Sequence, residues 1–202
     1  ALSVLLGCEN QASENPMLEI HGRTMGTFYG VKVVGDFPGG QAALQSEVDA
    51  LLKHYNDEIS TYDPNSSLSK FNQSTSLKPF PVSQDMADIV ISAVRTGERT
   101  HGVLDVTVGP LVNLWGFGPD KRPIKTPTDQ QIAAARKRVG IDRLHVEVSA
   151  DHATLRKDVP ELYVDLSTVG EGFGADKVAE FIESEGVHNY LVELAGASRS
   201  RG

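Results

Sequence analysis

The chain has 202 residues, of which 40% are hydrophobic, and this is enough apolar content to bury a globular core. Its formal net charge of −8 argues against a nucleic-acid partner, because phosphate backbones are bound by clustered Lys and Arg side chains. The single cysteine excludes an intramolecular disulfide, and the six histidines show none of the spacings typical of zinc sites. We therefore expect small molecules or proteins as partners.

The N-terminus resembles a bacterial lipobox. An apolar run ends at Gly7 and Cys8, and a polar stretch follows it. This pattern predicts a remnant of a lipoprotein signal peptide at 1–7, a lipidated cysteine with a polar tether at 8–18, and a folded domain at 19–202. The expected location is the bacterial periplasm, with the lipid anchor in the inner membrane. The alternative is an ordinary buried cysteine in a short strand.

The apolar periodicity of the rest of the chain alternates between strand and helix spacing. The predicted elements, in chain order, are a strand at 27–34, a helix at 41–60, a helix after the cap residue Ser83, a helix at 128–139, a hairpin of 143–148 and 151–156, a strand at 161–165, a helix at 173–185 and a last strand at 190–194. This mixture predicts an α+β fold, with mixed sheets and packed helices in two closely packed subdomains.

A glycine-rich stretch joins the predicted strand at 161–165 to the helix after it. Its glycines Gly170, Gly172 and Gly174 would permit positive φ and let backbone approach a ligand, and a helix N-terminus favours anions such as phosphate. The oxygens of Asp165, Thr168 and Glu171 suit a hard cation such as Mg²⁺. The alternative is a helix capped by Ser167 or Thr168, with glycines for tight packing.

Three other segments carry candidate binding residues. Met25, between glycines at 22 and 26, offers a polarizable contact, and Tyr62 could either stack on an aromatic ring or pack against its own loop. Asp105 lies among apolar neighbours, where a carboxylate needs a hydrogen-bond donor or a ligand. His101 is a possible base, and Trp115 and Phe117 are expected in the core or in a pocket wall.

Taken in order, these segments resemble one family, the ApbE-type FAD:protein FMN transferases. The segments that match its pattern are Arg23-Thr-Met-Gly-Thr27, Ser60-Thr-Tyr-Asp63 with Ser69-Lys-Phe71, Gly102-Val-Leu-Asp-Val-Thr-Val-Gly-Pro110 with Trp115-Gly116, and Asp165 to Asp176. The resemblance covers nearly the whole chain after the tether. Many members of the family are periplasmic lipoproteins, which agrees with the lipobox.

The resemblance implies a reaction and a set of site residues. Members split FAD between its phosphates with Mg²⁺, attach the FMN half by a phosphoester to a Thr or Ser hydroxyl of a partner protein, and release AMP. The usual acceptors are redox proteins of the Rnf and sodium-pumping NADH:quinone oxidoreductase types. Carried onto matching positions, the residues that contact FAD are Met25, Tyr62, Val103, Leu104, Asp105, Asp165 and Glu171, with Thr168 at the metal.

The chain departs from the family pattern in three places. Gly170-Glu-Gly-Phe-Gly174 stands where many members have Ser-Lys-Gly-Tyr-Ala, so a contact through Glu171 would belong to a subgroup. Ala195-Gly196 replaces the family's Gly-Gly. Family members continue beyond the position of Gly202, so the domain is expected to be truncated at its C-terminus, with the catalytic base beyond Gly202. Two other functions stay open: a module that only holds FAD, and an FAD pyrophosphatase that releases FMN and AMP.

Overall fold

The computed structural model describes residues 16–119 and 125–202, so the signal-peptide remnant, Cys8 and most of the predicted tether lie outside the described residues. The strands are β1 Met17–Thr24, β2 Thr27–Val34, β3 Phe80–Val82, β4 Leu144–Val148, β5 Ala153–Lys157, β6 Tyr190–Leu194 and β7 Ala197–Arg201. The α-helices are α1 Gly40–Ile59, α2 Ser67–Gln73, α3 Gln84–Arg99, α4 Gly109–Leu114, α5 Asp129–Arg136 and α6 Ser167–Ser184, and Ile141–Arg143 form a 3-10 turn. None of these helices is long and apolar enough to cross a bilayer.

The first sheet has the strand order β1-β2-β6-β7, with antiparallel neighbours throughout. Alternate residues of β2, namely Tyr29, Val31 and Val33, are buried on one face, as the period of two requires. Helices α1 and α6 pack on that face and close a core, called the first core below. The apolar stripe of α1 is buried as its helical spacing predicts, and its members are Leu44, Val48, Leu52, Tyr55 and Ile59.

The second sheet has the order β3-β5-β4 and is also antiparallel. Helix α3 packs on it, and its N-terminus is capped because the Ser83 side chain accepts a hydrogen bond from the Met86 N–H at 3.0 Å. Around this sheet lies the second core, which includes Phe71 of α2, Ile89 of α3 and Leu155 of β5. The α+β prediction is confirmed, since helices pack on two separate antiparallel sheets.

The two cores meet at α6 and at the tip of the first hairpin. Met25 packs against both cores, and α6 contributes to both, with Val178 and Ile182 in the first core and Val169 and Phe173 packed against the second. Helix α6 is also tied to α3 by an ion pair of 2.9 Å between Lys177 and Asp85. The cleft described below opens along this junction.

The predicted strand at 161–165 is wrong, because no strand forms there. The backbone of Val164 is paired with a side chain instead. Its N–H donates to the Asn72 Oδ1 and its C=O accepts from the Asn72 Nδ2, each at 2.8 Å. The Asp165 N–H donates to the Val106 carbonyl at 2.7 Å. The residue types of the segment are typical of a strand, but its backbone bonds to an amide side chain and to a loop rather than to a neighbouring strand.

The glycine-rich stretch is also placed differently from the prediction. Helix α6 begins at Ser167, six residues before the predicted start at Phe173, so the three glycines lie inside its first turns and none has positive φ. A Cβ on Gly170 would lie 3.0 Å from the Ile59 Cδ1, and one on Gly174 would lie 3.0 Å from the Leu194 Cδ1. These two glycines therefore allow α6 to approach α1 and β6 closely.

Smaller differences concern the ends and number of the elements. Helix α5 ends at Arg136 rather than 139, and turn hydrogen bonds from Arg138 to Ala135 and from Val139 to Arg136 continue the chain. The predictions missed β1, β3, β7, α2 and α4. Helix α2 follows a segment with Ser, Asn and Pro, and α4 begins with Gly109-Pro110, so the local composition at both places is typical of loops.

Candidate functional site

A cleft of about 730 Å³ opens at the junction of the two cores. We call it the main cleft. Three stretches that are distant in sequence line it, and the middle one contributes both a helix end and a loop. The lining residues are Met25, Gly26, Asn56, Ile59, Ser60, Thr61, Tyr62, Asp63, Leu166, Ser167, Gly170 and Glu171. The segments are the tip of the β1–β2 hairpin, the last turn of α1, the loop after α1 and the beginning of α6. Its residues include three of the predicted FAD contacts, Met25, Tyr62 and Glu171.

The hairpin tip holds Met25 in an uncommon backbone conformation. Thr24 pairs with Thr27, so Met25 and Gly26 form a two-residue turn, with φ of 50° and 76°. Turns of this length require positive φ at one or both central residues, which glycine accepts readily and methionine does not. The Met25 side chain is held by its packing against both cores. The strained residue is thus fixed at the floor of the main cleft.

The loop after α1 presents Tyr62 to solvent. The Ser60 Oγ accepts hydrogen bonds from the N–H groups of Tyr62 and Asp63 at 3.2 and 3.1 Å, and the Ser60 carbonyl accepts from the Ser69 Oγ at 3.0 Å. The loop backbone is therefore fixed by serines. The Tyr62 residue is 67% exposed, and its hydroxyl reaches only the Phe117 carbonyl, at 3.4 Å. The ring is free to stack on a ligand in the main cleft.

The beginning of α6 is organised by Asp165. Its Oδ1 accepts from the N–H and the hydroxyl of Ser167 at 2.9 and 2.6 Å, so it satisfies one of the free N–H groups of the helix. Of the alternative considered for this stretch, the cap by Ser167 or Thr168 is wrong, because the N-cap position is Leu166 and no side chain caps from it. Asp165 does not line the main cleft but fixes Ser167, which does.

A second pocket of about 500 Å³ lies beside the main cleft, and we call it the side pocket. Thr168, Glu171 and Asp176 of α6 line it, together with Ser92 of α3 and Gly196 of the β6–β7 turn. Glu171 borders both cavities, and its carboxylate makes no hydrogen bond or ion pair with any described residue. Thr168 therefore lines a different cavity from Met25 and Tyr62, and Glu171 is the residue that the two linings share.

The predicted metal site was tested against the donor set around Thr168. Within the described ranges, no group of three or more His, Cys, Asp or Glu side chains is placed to hold a metal ion. Thr168 is exposed and offers a single hydroxyl. Mg²⁺ prefers several oxygen ligands in near-octahedral geometry, so the described residues do not by themselves fit the metal.

The segment predicted to form a second wall around FAD lies apart from the main cleft. Val103 is 89% exposed, and neither it nor Leu104 nor Asp105 lines the main cleft. The Asp105 carboxylate has the donor partner that its apolar surroundings require, because its Oδ1 accepts from the N–H and hydroxyl of Thr107 at 2.7 and 2.6 Å. The hydroxyl of Thr107, which is fully buried, also accepts from the Gly140 N–H at 2.7 Å.

Trp115 and Phe117 are not buried as predicted, and the position of His101 gives no support to its predicted role as a base. Trp115 and Phe117 are 45% and 75% exposed, so the expectation that they belong to the core is wrong, and neither lines the main cleft. The short helix α4 ends at Leu114, and Gly116 with φ of 76° turns the chain outward. His101 has φ of 54° in an exposed turn, and no carboxylate or hydroxyl among the described residues bonds to its ring.

Two residues of the main cleft were missed by the sequence reasoning. Asn56 lies in the last turn of α1, where a lone polar residue looks like any solvent-facing position. Ser167 was considered only as a cap. Its spacing of two from Asp165 is typical of an Asp side chain that bonds to the backbone two residues later, and this signal would have found the pair.

Under the main cleft, a polar cluster fixes α1, α3 and α6 relative to one another. The ring of Tyr55 meets Phe173 edge to face at 5.3 Å, and the Lys177 ammonium lies 5.3 Å from the same ring. Burial, and then the charge of Asp85, raise the pKa of Tyr55 to about 12. Burial acts to lower the pKa of Lys177, but its bond to the Asp85 carboxylate and the nearby Glu180 raise the pKa overall. The lysine therefore stays charged.

Comparisons with known proteins identify the family of the chain. Residues 25–202 match the model of the ApbE family. The FAD:protein FMN transferases of Salmonella typhimurium and Vibrio cholerae are each 48% identical to the chain, over 206 and 204 residues that make up 100% of this chain and 59% of each relative. The relative from Escherichia coli K12 is 44% identical over 98% of this chain. The chain thus spans about three-fifths of the length of these relatives.

Solved structures show the same fold. The flavin transferase ApbE from Vibrio cholerae superposes with a TM-score of 0.87 at 48% identity, covering 93% of this chain and 60% of that one. The apo flavinyl transferase ApbE from Pseudomonas stutzeri gives 0.85 at 32% identity, covering 94% of this chain and 62% of that one. The chain belongs to the ApbE family.

Proposed function

We propose that this protein binds FAD in the main cleft and transfers its FMN part to a Thr or Ser hydroxyl of a partner protein. The observation that carries the proposal is the convergence of Met25, Tyr62 and Glu171 from three distant segments on one cleft. The 48% identity to relatives named FAD:protein FMN transferase supports the same reaction. Because the chain spans 59% of those relatives, the activity of this chain itself needs to be measured.

In the proposed reaction, the acceptor oxygen forms a bond to the FMN phosphorus while the bond from that phosphorus to the bridging oxygen of FAD breaks. AMP leaves with the bridging oxygen, and the acceptor proton passes to a base. Tyr62 would stack on a flat ring of FAD, and Met25 would contact it through its thioether. The N-terminus of α6 at Ser167 favours a negative group, so the pyrophosphate is proposed to bind at that end of the main cleft.

A role for Mg²⁺ in the reaction is proposed from the family resemblance alone. When bound, it would offset negative charge on the phosphates. The described residues supply the Thr168 hydroxyl and no cluster of charged ligands, so no step is assigned to the metal here. Val103, Leu104, Asp105 and Asp165 are proposed as further contacts on the same ground.

The cellular setting is proposed from the sequence. Cys8 would carry the lipid anchor and hold the domain at the periplasmic face of the inner membrane. The proposed acceptors are redox proteins of the Rnf or sodium-pumping NADH:quinone oxidoreductase type. An acidic domain with net charge −8 would reach them through its tether rather than through direct attraction to anionic lipids.

One experiment tests the function. The protein is incubated with FAD, Mg²⁺ and an acceptor domain, and the acceptor is weighed by intact mass spectrometry. The expected result is an acceptor heavier by one FMN group, together with an equal amount of AMP. Free FMN and AMP with an unchanged acceptor would replace the transferase with an FAD pyrophosphatase. Bound, intact FAD with no AMP would leave an FAD-binding module.

A further inference from the structure

The two walls of the main cleft are joined behind it by one asparagine. Asn72 lies in the last turn of α2, and its side-chain amide bonds the backbone of Val164 in both directions, at 2.8 Å each. The two donor–acceptor pairs reproduce the bonding of a strand neighbour, although the residues are 92 positions apart. The two bonds fix the orientation of the amide, because its oxygen and its nitrogen are each held by Val164.

A buried lysine strengthens the same junction. Lys157 is 1% exposed, and its ammonium donates to the carbonyls of Phe71, Asn72 and Leu162 at 3.2, 3.4 and 3.3 Å. Phe71 and Asn72 lie in the last turn of α2, where carbonyls have no partner within the helix. The lysine thus joins the end of α2 to the segment that leads into Val164. The buried charge is bonded to backbone oxygens on both sides.

Each side of this junction continues directly into a wall of the main cleft. On one side, the first turn of α2 bonds the loop that carries Tyr62, because the Ser66 and Ser69 hydroxyls donate to the Ser60 carbonyl at 2.5 and 3.0 Å. On the other side, Val164 is followed by Asp165, which fixes Ser167 at the beginning of α6. Besides the direct packing of α1 on α6, one connection between the Tyr62 loop and α6 therefore runs through the bonds between Asn72 and Val164.

We propose that Asn72 is a positioning residue that sets the separation of the Tyr62 loop and the N-terminus of α6, and so the width of the FAD site. The inference rests on the proposed function, because it assumes that FAD occupies the main cleft. Asn72 itself touches no ligand. Its effect is transmitted through α2 to Tyr62 and through Val164 and Asp165 to Ser167.

Two substitutions separate this role from simple stability. Asn72→Leu keeps the branched shape of the side chain, with a somewhat larger volume, and removes both bonds to Val164. Asn72→Asp keeps the acceptor for the Val164 N–H and loses the donor to its carbonyl. The control is Ile182→Val, which trims a fully buried side chain of the first core, away from both walls. It lowers the melting temperature without reaching the cleft.

Binding of FAD is measured by titration at a temperature well below every melting transition, with flavin fluorescence quenching as a second signal. For Asn72→Leu we expect roughly tenfold weaker binding and less quenching at saturation, because the stacking ring of Tyr62 is displaced. Asn72→Asp should be intermediate in both. Ile182→Val should bind and quench as the unsubstituted protein does.

The outcomes distinguish the inference from the function on which it rests. If the unsubstituted protein fails to bind FAD, the proposed function is wrong, and the inference falls with it. If it binds FAD and Asn72→Leu loses melting temperature but keeps the same affinity and quenching, Asn72 is structural only and the inference is overturned. Equal affinity losses in Asn72→Leu and Ile182→Val would overturn it as well, since general loosening would then explain them.

Discussion

The two cores of the molecule differ in how many polar side chains are buried in and beside them. The first core joins a regular sheet to two long helices, and its buried members are apolar. The second core also packs irregular segments, and the buried polar residues of the described chain, Thr61, Ser66, Ser69, Thr107 and Lys157, lie on them or beside them. Segments without regular structure keep free backbone groups, and buried side chains must satisfy these groups.

This difference bears on function, because the irregular segments form or support much of the main cleft. The Tyr62 loop is held by the hydroxyls of Ser60, Ser66 and Ser69, and the beginning of α6 is held by Asp165. A polar network fixes a loop in one geometry more strictly than apolar contacts do, but it fails more sharply when one member is lost. The predictions below compare the two cores on this basis, from the largest effect to the smallest.

The largest effect is expected from Lys157→Ala. The carbonyls of Phe71, Asn72 and Leu162 would lose the ammonium, although the Phe71 carbonyl would keep its 3.2 Å bond from the Ser74 N–H, and a cavity would replace the long side chain. We expect a loss of about 4 kcal/mol in the free energy of unfolding. The matched deletion in the first core, Leu52→Ala, should cost about 3 kcal/mol through its cavity alone. Urea unfolding measures both, and a loss below about 1 kcal/mol for Lys157→Ala would show that the carbonyls find other partners.

The same lysine predicts how stability depends on pH. Burial lowers the pKa of Lys157 below its ordinary value of 10.5, against the opposing charge of Glu161. Between the lowered pKa and 10.5 the unfolded chain binds more protons than the folded one, so the free energy of unfolding rises with pH across this window. Below the window the cost of burying the charge is fully present, and above it the cost is gone.

Other groups titrate in the same pH range. Their contribution to the unfolding free energy is removed by subtracting the values of a variant that lacks Lys157. Burial raises the pKa of Tyr29 and of Tyr55, which destabilises the folded state as pH rises toward their folded pKa values. The unfolding free energy should therefore be measured from pH 8 to 11 for the unsubstituted protein and for Lys157→Met. The difference, unsubstituted minus variant, should increase with pH, and a flat difference would contradict a depressed pKa at Lys157.

A third effect concerns the exposed side of the main cleft. Tyr62→Ala should weaken FAD binding roughly tenfold, because one aromatic stack contributes about 1–2 kcal/mol. Tyr62→Phe should change it by less than about twofold, since the hydroxyl makes only a 3.4 Å contact with the Phe117 carbonyl. Isothermal titration with FAD checks both. A large loss in Tyr62→Phe would show that the hydroxyl, and not the ring face, meets the ligand.

The sequence predicted the first core better than the second for a physical reason. Helix α1, the strand β2 and the strand β6 have apolar residues at the spacing of their own secondary structure, and this spacing is local information. The segment around Val164 takes its structure from Asn72, which is remote in sequence. No pattern within 161–165 distinguishes a backbone partner from a side-chain partner, so a strand was predicted where none forms.

The residues of the candidate site were also predicted only in part. Met25, Tyr62 and Glu171 were predicted from motifs, and the fold brings them to one cleft. Asp105 was expected to need a donor, and its donor is Thr107, only two residues away. The separation of Thr168 from Tyr62 was not predictable, because it depends on how α6 turns between the main cleft and the side pocket.

The smallest effect is expected at two glycines, Gly172 and Gly174. The sequence predicted them in a junction before a helix, and the structure places them inside α6. In a helix interior, Ala is favoured over Gly by about 1 kcal/mol, provided that its methyl group has room. A Cβ on Gly172 would meet nothing within 4 Å, so Gly172→Ala should raise the free energy of unfolding by about 0.5–1 kcal/mol. A Cβ on Gly174 would lie 3.0 Å from Leu194 and 3.6 Å from Leu52, so crowding in the first core should cancel that gain in Gly174→Ala. Destabilisation by Gly172→Ala would mean that this position needs a glycine-only conformation, as a ligand-binding junction would, and the helical start at Ser167 would be wrong.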